Sequence, residues 1–97
     1  MSTPTCPEHL GELARLEWNR IAAEHATADP TTLAAYCAAY GRWVDAEQKI
    51  NEFGVVIKTK GSDKAQTNPY VAVAEQSLNT MHKFLSLLNH TDSKTVF

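Results

Sequence analysis

The sequence contains only two cysteines, Cys6 and Cys37, among its 97 residues. They belong to no CxxC pattern, so neither a zinc site nor a disulfide framework is predicted, and both thiols are expected to stay reduced. No apolar run approaches the roughly 20 residues that a membrane-spanning helix needs. Residues 1–5 have neither the basic nor the apolar region of a secretory signal, which predicts a protein that stays inside the cell.

The sequence motifs of common enzymes are also missing. Neither a GxxxxGK[ST] loop nor GxGxxG occurs, so the chain is not expected to hydrolyse ATP. There is no GxSxG segment to mark a nucleophile, no HExxH and no EF-hand loop. No i, i+4 spacing joins any two of the four histidines, His9, His25, His82 and His90. We therefore predict a protein without catalytic residues, cofactor or metal, which acts by binding and self-assembly.

The length and the charge of the chain limit what it can be. With 97 residues we predict a single domain over 1–97, composed of a lead (1–6), a core (7–89) and a tail (90–97). A domain of this size is often marginally stable alone, and many such domains are stabilised by oligomerisation. The net charge is -2, whereas a simple nucleic-acid binder is strongly basic. A surface that binds nucleic acid would therefore have to be a local basic patch, or a patch that is repeated by several copies of the chain.

Three stretches have the apolar spacing of amphipathic helices. The predicted helices cover residues 7–25, 30–53 and 69–88. Asp29 and Pro30 are a strong start for the second helix, and Gly54 is expected to end it. Asn89 is expected to end the third helix in the left-handed conformation. The second helix has a broad apolar face, which predicts more than one neighbour, and in so small a chain the second neighbour can be another subunit.

A β-hairpin is predicted between the second and third helices. Residues 55–57 are a β-branched run, residues 61–63 have turn chemistry, and residues 64–67 can return antiparallel. Lys58, Lys60 and Lys64 lie around this hairpin, and Lys58 and Lys60 point to the same side of a strand. Two interpretations stay open. The lysines contact nucleic-acid phosphates without reading sequence, or they protect an exposed strand edge from aggregation.

Large side chains are the candidates for contacts between subunits. The aromatic residues of the first two helices have helical spacing, which makes packing in the core the default interpretation. Tryptophan and tyrosine are also enriched at interfaces, so we expect some to be core and at least one to bridge subunits. The candidates for the interface are Trp18, Tyr36, Tyr40, Trp43 and Ile57.

Several segments, in a fixed order, point to one family. They are LARLEWNRI over 13–21, LAAYCAAYGRW over 33–43 followed by Ala46, Phe53-Gly54, the Gly61 turn, Asn68-Pro69 and, more loosely, LNHTDSK over 88–94. Over roughly residues 7–94 this set resembles the small subunit of phage terminases, in the branch built of helix, helix, hairpin and helix. The resemblance implies a mainly α fold, with two antiparallel long helices, a β-hairpin and a third helix, as the protomer of a ring.

The resemblance also implies a function. Such small subunits are non-enzymatic homo-oligomers, usually cyclic, which recognise double-stranded viral DNA and deliver it to the large subunit, the carrier of the ATPase and nuclease, in the bacterial host cytoplasm. The candidate DNA-binding residues here are Lys58, Lys60, Lys64 and Arg42. An alternative is a protein-interaction adaptor that binds the large subunit or a capsid component without reading DNA. The net negative charge favours that alternative.

Overall fold

A computed structural model describes residues 4–58 and 65–93 of the chain, with side chains through residue 89. The elements in chain order are helix α1 (Glu12–Ile21), a 3₁₀ turn (Ala22–His25), helix α2 (Pro30–Phe53), strands β1 (Val56–Lys58) and β2 (Ala65–Thr67), and helix α3 (Pro69–Ser93). The predicted class is confirmed, since the protein is mainly helical with an antiparallel two-stranded hairpin between the second and third helices.

Helix α1 begins five residues after the predicted start at Pro7. The residues before it form an irregular segment that packs on the core, because Leu10 is buried and the indole Nε1 of Trp18 donates a hydrogen bond of 3.0 Å to the carbonyl oxygen of Pro4. Gly11, in an extended conformation, precedes the first helical residue. The predicted start was therefore wrong, since tertiary contacts hold residues 4–10 outside the helix.

Helix α2 has both of its predicted ends. The side chain of Asp29 accepts a hydrogen bond of 3.0 Å from the backbone N–H of Thr32, and Pro30 is the first helical residue. At the other end Gly54 has φ 87°, a conformation that residues with a Cβ rarely adopt, and its N–H donates to the carbonyl oxygen of Ile50. With 24 residues the helix is about 36 Å long.

Helix α3 continues past its predicted end at Leu88 and runs to Ser93. Among the described residues only Gly54 has a positive φ, so Asn89 does not take the left-handed conformation and that prediction was wrong. Neither glycine nor proline follows Asn89 in the sequence, and no residue there forces a break. The predicted tail therefore begins as helix, while residues 94–97 lie outside the described residues.

Helix α2 packs against both other helices. Helix α1 runs antiparallel to it, since Ala14 lies beside Gly41 while the later residue Glu17 bonds the earlier residue Tyr36. A Cβ on Gly41 would lie 3.1 Å from the backbone nitrogen of Ala14, so glycine allows the two backbones to approach closely. Helix α3 adds Met81 and Leu88 to the same buried cluster. In the described part of the chain, no helix is both long and apolar enough to span a membrane.

The molecule is long and thin. Its principal extents are 58 × 29 × 17 Å and its radius of gyration is 16.8 Å. A compact domain of 97 residues has a radius of gyration of about 12.5 Å. The chain is therefore markedly elongated.

Candidate nucleic-acid interface

Lys58 is exposed at the end of strand β1. It lies opposite Ala65 in the antiparallel register, and Val56 lies opposite Thr67 on the same face of the hairpin. This face therefore carries one cation and no carboxylate among the described strand residues. Lys60 and Lys64 lie outside the described residues, so their place beside Lys58 stays a prediction.

The base of the hairpin is fixed by Asn68, which is 3% exposed. Its backbone N–H donates to the carbonyl oxygen of Val55 at 2.7 Å, and its side-chain Nδ2 donates to that of Gly54 at 2.8 Å. Its Oδ1 accepts from the N–H of Tyr70 at 3.0 Å and so caps the start of α3. One buried side chain thus joins the end of α2, the hairpin and the start of α3, and it fixes where Lys58 emerges.

Arg42 is exposed on α2, well away from the hairpin along the chain. About 17 Å of helix axis separate it from Phe53, where α2 ends. Arg42 lines a surface cavity of about 560 Å³ together with His9, Glu12 and Asp45. The structure therefore does not gather Arg42 into the hairpin surface, and two carboxylates near it reduce the local positive potential.

The five candidates for a subunit interface fall into two groups. Trp18 is 1% exposed and Tyr36 is 4% exposed, so both belong to the core of the single chain. Tyr40, Trp43 and Ile57 are only half-buried and keep some surface. The ring of Tyr40 lies 6.5 Å from that of Tyr36 and 6.1 Å from that of Trp43, between centroids, so the aromatic row leads from the core to the surface. A role in assembly stays a prediction for the three half-buried residues.

A polar network around the buried Glu17 joins α1 to α2 and was not among the sites predicted from the sequence. Glu17 is 2% exposed, and its two carboxylate oxygens accept hydrogen bonds of 2.7 Å from Nε and Nη2 of Arg20. The hydroxyl of Tyr36 donates to Glu17 Oε2 at 2.5 Å. Burial, together with this hydrogen bond, raises the pKa of Tyr36 well above its usual value, so the hydroxyl stays protonated and remains a donor.

A signal for this network was present in the sequence. Glu17 follows Ala14 by three positions and precedes Ile21 by four, so it lies within the apolar stripe of α1 and not on another face. Arg20 follows at the i+3 spacing that favours ion pairs on a helix. The hydrogen bond to Glu17 raises the pKa of Arg20 further, so the guanidinium is charged at every practical pH. Only the partner on α2, Tyr36, lay beyond what sequence spacing predicts.

The buried thiol of Cys37 is protonated at neutral pH. Cys37 is 0% exposed, and burial, with the nearby charge of Glu17, raises its pKa to about 12. The nucleophilic thiolate is therefore essentially unpopulated. Within residues 4–58 and 65–93, no group of three or more histidine, cysteine, aspartate or glutamate side chains is placed to hold a metal ion.

The fold and these surfaces define a small helical protein with an exposed hairpin and, within α1, an ion pair whose carboxylate also accepts a hydrogen bond from α2. The model of the family "phage terminase, small subunit" matches residues 14–94, so the chain belongs to this family. Membership gives it a role in phage DNA packaging, in a family that is generally non-catalytic. No curated protein and no solved structure matches the chain.

Proposed function

We propose that this protein is a non-catalytic small terminase subunit that binds double-stranded viral DNA and hands it to the large subunit, the carrier of the ATPase and nuclease, for packaging into the capsid. It works in the host cytoplasm as a cyclic homo-oligomer. The observation that carries the proposal is the exposed Lys58 on a hairpin that Asn68 fixes to both long helices. Lys60 and Lys64 follow within the next six positions.

Electrostatics explains how a chain of net charge -2 binds DNA. The segment from Lys58 to Lys64 holds three lysines and one carboxylate, Asp63, so its local charge is +2. Lysines that contact phosphates supply affinity and orientation without reading bases. An assembly that presents one hairpin per copy multiplies this local charge. The binding should then weaken steeply with salt, because bound phosphates release counterions.

The lysines of the hairpin provide the test of this proposal. Replacing Lys58, Lys60 and Lys64 together by Ala is expected to weaken binding to double-stranded DNA, measured by fluorescence anisotropy over a series of salt concentrations. The slope of log K against log salt should flatten by about 0.9 for each phosphate contact removed. Lys83→Ala is the matched control, because Lys83 is also exposed but lies on α3. It should leave affinity and slope unchanged.

Two results would count against the hairpin as the DNA surface. If the triple variant binds DNA like the wild type, the surface lies elsewhere, and Arg42→Ala identifies it if that change alone weakens binding. If the triple variant binds normally but scatters light as it aggregates, the lysines protect a strand edge.

An adaptor that contacts only proteins is the second candidate function. The observation that favours it is the acidic setting of Arg42, which shares its cavity with Glu12 and Asp45, together with the net charge of -2. A pull-down that retains the large subunit while anisotropy detects no DNA binding at low salt would select this alternative.

A further inference from the structure

One face of the hairpin is open to solvent along both strands. Residues directly opposite each other in an antiparallel pair point to the same face, and so does every second residue along a strand. This face carries Val56, Lys58, Ala65 and Thr67, all of them exposed. We name these four residues the outer face. Its single charge is the cation of Lys58, and Val56 beside it is 61% exposed.

The opposite face of the hairpin is partly covered by the rest of the chain. It carries Ile57 opposite Gln66, and Ile57 is half-buried whereas the other described strand residues are exposed. The side chain of Asn68 fixes the base of the hairpin through its hydrogen bonds to Gly54 and Tyr70. The hairpin therefore projects as a two-stranded ribbon in a fixed orientation, with its outer face available to a partner.

A ribbon of this kind fits the major groove of DNA. The major groove of B-DNA is about 12 Å wide and admits a two-stranded β-ribbon, whereas the minor groove is only about 6 Å wide. Residues two apart on a strand are separated by about 6.8 Å, which equals two base-pair steps of the duplex. Val56 and Lys58 are related in this way, so one hairpin would span about three base pairs.

The side chains of the outer face match the base edges in that groove. Thymine presents its C5-methyl group there, and small apolar groups, including the methyl of threonine, contact it. Val56, Ala65 and Thr67 carry such groups. No carboxylate lies on β1 or β2 to repel the phosphates, and Lys58 forms no ion pair within the described residues. DNA fits this face better than an apolar protein surface, which would bury that cation without a partner.

We propose that the hairpin enters the major groove of double-stranded DNA, where the apolar groups of the outer face contact thymine methyls while Lys58 contacts a phosphate. This rests on the proposed function, since it assumes that the hairpin binds DNA, and it adds a sequence preference to that binding. The lysines supply affinity for any duplex, and Val56, Ala65 and Thr67 favour A·T pairs.

Duplexes in which uracil replaces thymine test this proposal, because the replacement removes the C5-methyl group from the major groove and leaves the base pairing unchanged. A short A·T-rich duplex and its uracil counterpart are compared by fluorescence anisotropy at one salt concentration. The wild type is expected to bind the uracil duplex more weakly, by roughly fourfold for each methyl group that the outer face covers.

Two substitutions on opposite faces of the hairpin assign this effect to the outer face. Val56→Ala shortens an outer side chain and should bring the ratio of the two dissociation constants closer to one. Gln66→Ala is the matched control, because Gln66 is also an exposed strand residue but lies on the opposite face. It should keep the wild-type ratio, and far-UV circular dichroism would verify the fold of both variants.

Competition with small groove binders gives a second, independent measurement. Methyl green, which binds in the major groove, should displace the protein from the A·T-rich duplex. Netropsin, a cation that binds in the minor groove, should displace it much less at the same occupancy of the duplex. Because both competitors are cations, a difference between them reports the groove and not the charge.

The proposal is overturned if uracil leaves binding unchanged, if netropsin displaces the protein as well as methyl green does, or if Gln66→Ala changes the ratio at least as much as Val56→Ala. Each of these results leaves the proposed function standing, because the protein still binds DNA. A wild type that binds neither duplex at low salt would refute the proposed function together with this inference.

Discussion

Replacing Trp18 with Ala is expected to lower the free energy of unfolding by about 3–5 kcal/mol. The indole is 1% exposed within the cluster that joins the helices, so its removal leaves a cavity lined by apolar side chains. The change also removes the hydrogen bond from Nε1 to the carbonyl of Pro4, which holds the N-terminal segment on the core. A small domain has only about 5–15 kcal/mol in total, so this loss is a large fraction of the stability of the protein.

Urea denaturation followed by circular dichroism, at one fixed protein concentration, measures this loss, because association would otherwise shift the apparent stability. Trp43→Ala is the matched control. Trp43 is only half-buried and its ring is tilted against that of Tyr40, so its removal should cost less than half as much. Equal losses for the two tryptophans would contradict the assignment of Trp18 to the core and Trp43 to its margin.

Replacing Arg20 with Ala is expected to lower the free energy of unfolding by more than an exposed ion pair normally contributes. An ordinary exposed ion pair contributes only about 0–1 kcal/mol, and the side chain of Arg20 is 67% exposed. The larger cost is expected because its partner is not exposed. Without Arg20, the buried carboxylate of Glu17 keeps a single hydrogen-bond donor in the described structure, Tyr36.

Combined substitutions separate this cause from a simple loss of packing. Changing Glu17 to Leu and Tyr36 to Phe in the Arg20→Ala background removes every polar group of the network, and most of the lost stability should return. Arg15→Ala, an exposed arginine on the same helix, should change stability by less than about 0.5 kcal/mol. A loss for Arg20→Ala no larger than that for Arg15→Ala would contradict the expected stabilisation of the buried Glu17 by Arg20.

Local chemistry was enough to predict some elements of the fold. Asp29, Pro30 and Gly54 define the ends of α2 through hydrogen bonds and dihedral preferences within a few residues, and the structure agrees at both ends. The hairpin was also predictable, since β-branched residues beside turn chemistry favour paired strands. These signals are local, so they do not depend on what the rest of the chain does.

Long-range contacts decided the remaining elements. The start of α1 was predicted wrongly because Trp18 holds Pro4 from 14 positions away, which no local preference shows. The buried position of Glu17 depends on Tyr36, 19 positions later. The end of α3 was placed too early because asparagine tolerates the left-handed conformation but does not require it. Tertiary packing, and not local sequence preference, determines such helix ends and buried positions.

In the candidate site, too, local sequence features were predictable and long-range contacts were not. Charge density alone singled out Lys58, which the structure places on an exposed strand. Arg42 was chosen without knowledge of its neighbours, and the carboxylates of Glu12 and Asp45 around the same cavity come from a different helix and the next turn. The exposure of Val55 and Val56 was not predictable from the sequence, because valines in a predicted strand are expected to be covered.

Native mass spectrometry of the protein with a short DNA duplex tests the central claim most directly. If copies assemble and present their hairpins to DNA together, every DNA-bound species should contain several copies of the chain. The triple lysine variant should keep the same free oligomer and lose the bound species. A duplex bound by a single chain, with no larger species as the protein concentration rises, would contradict the account.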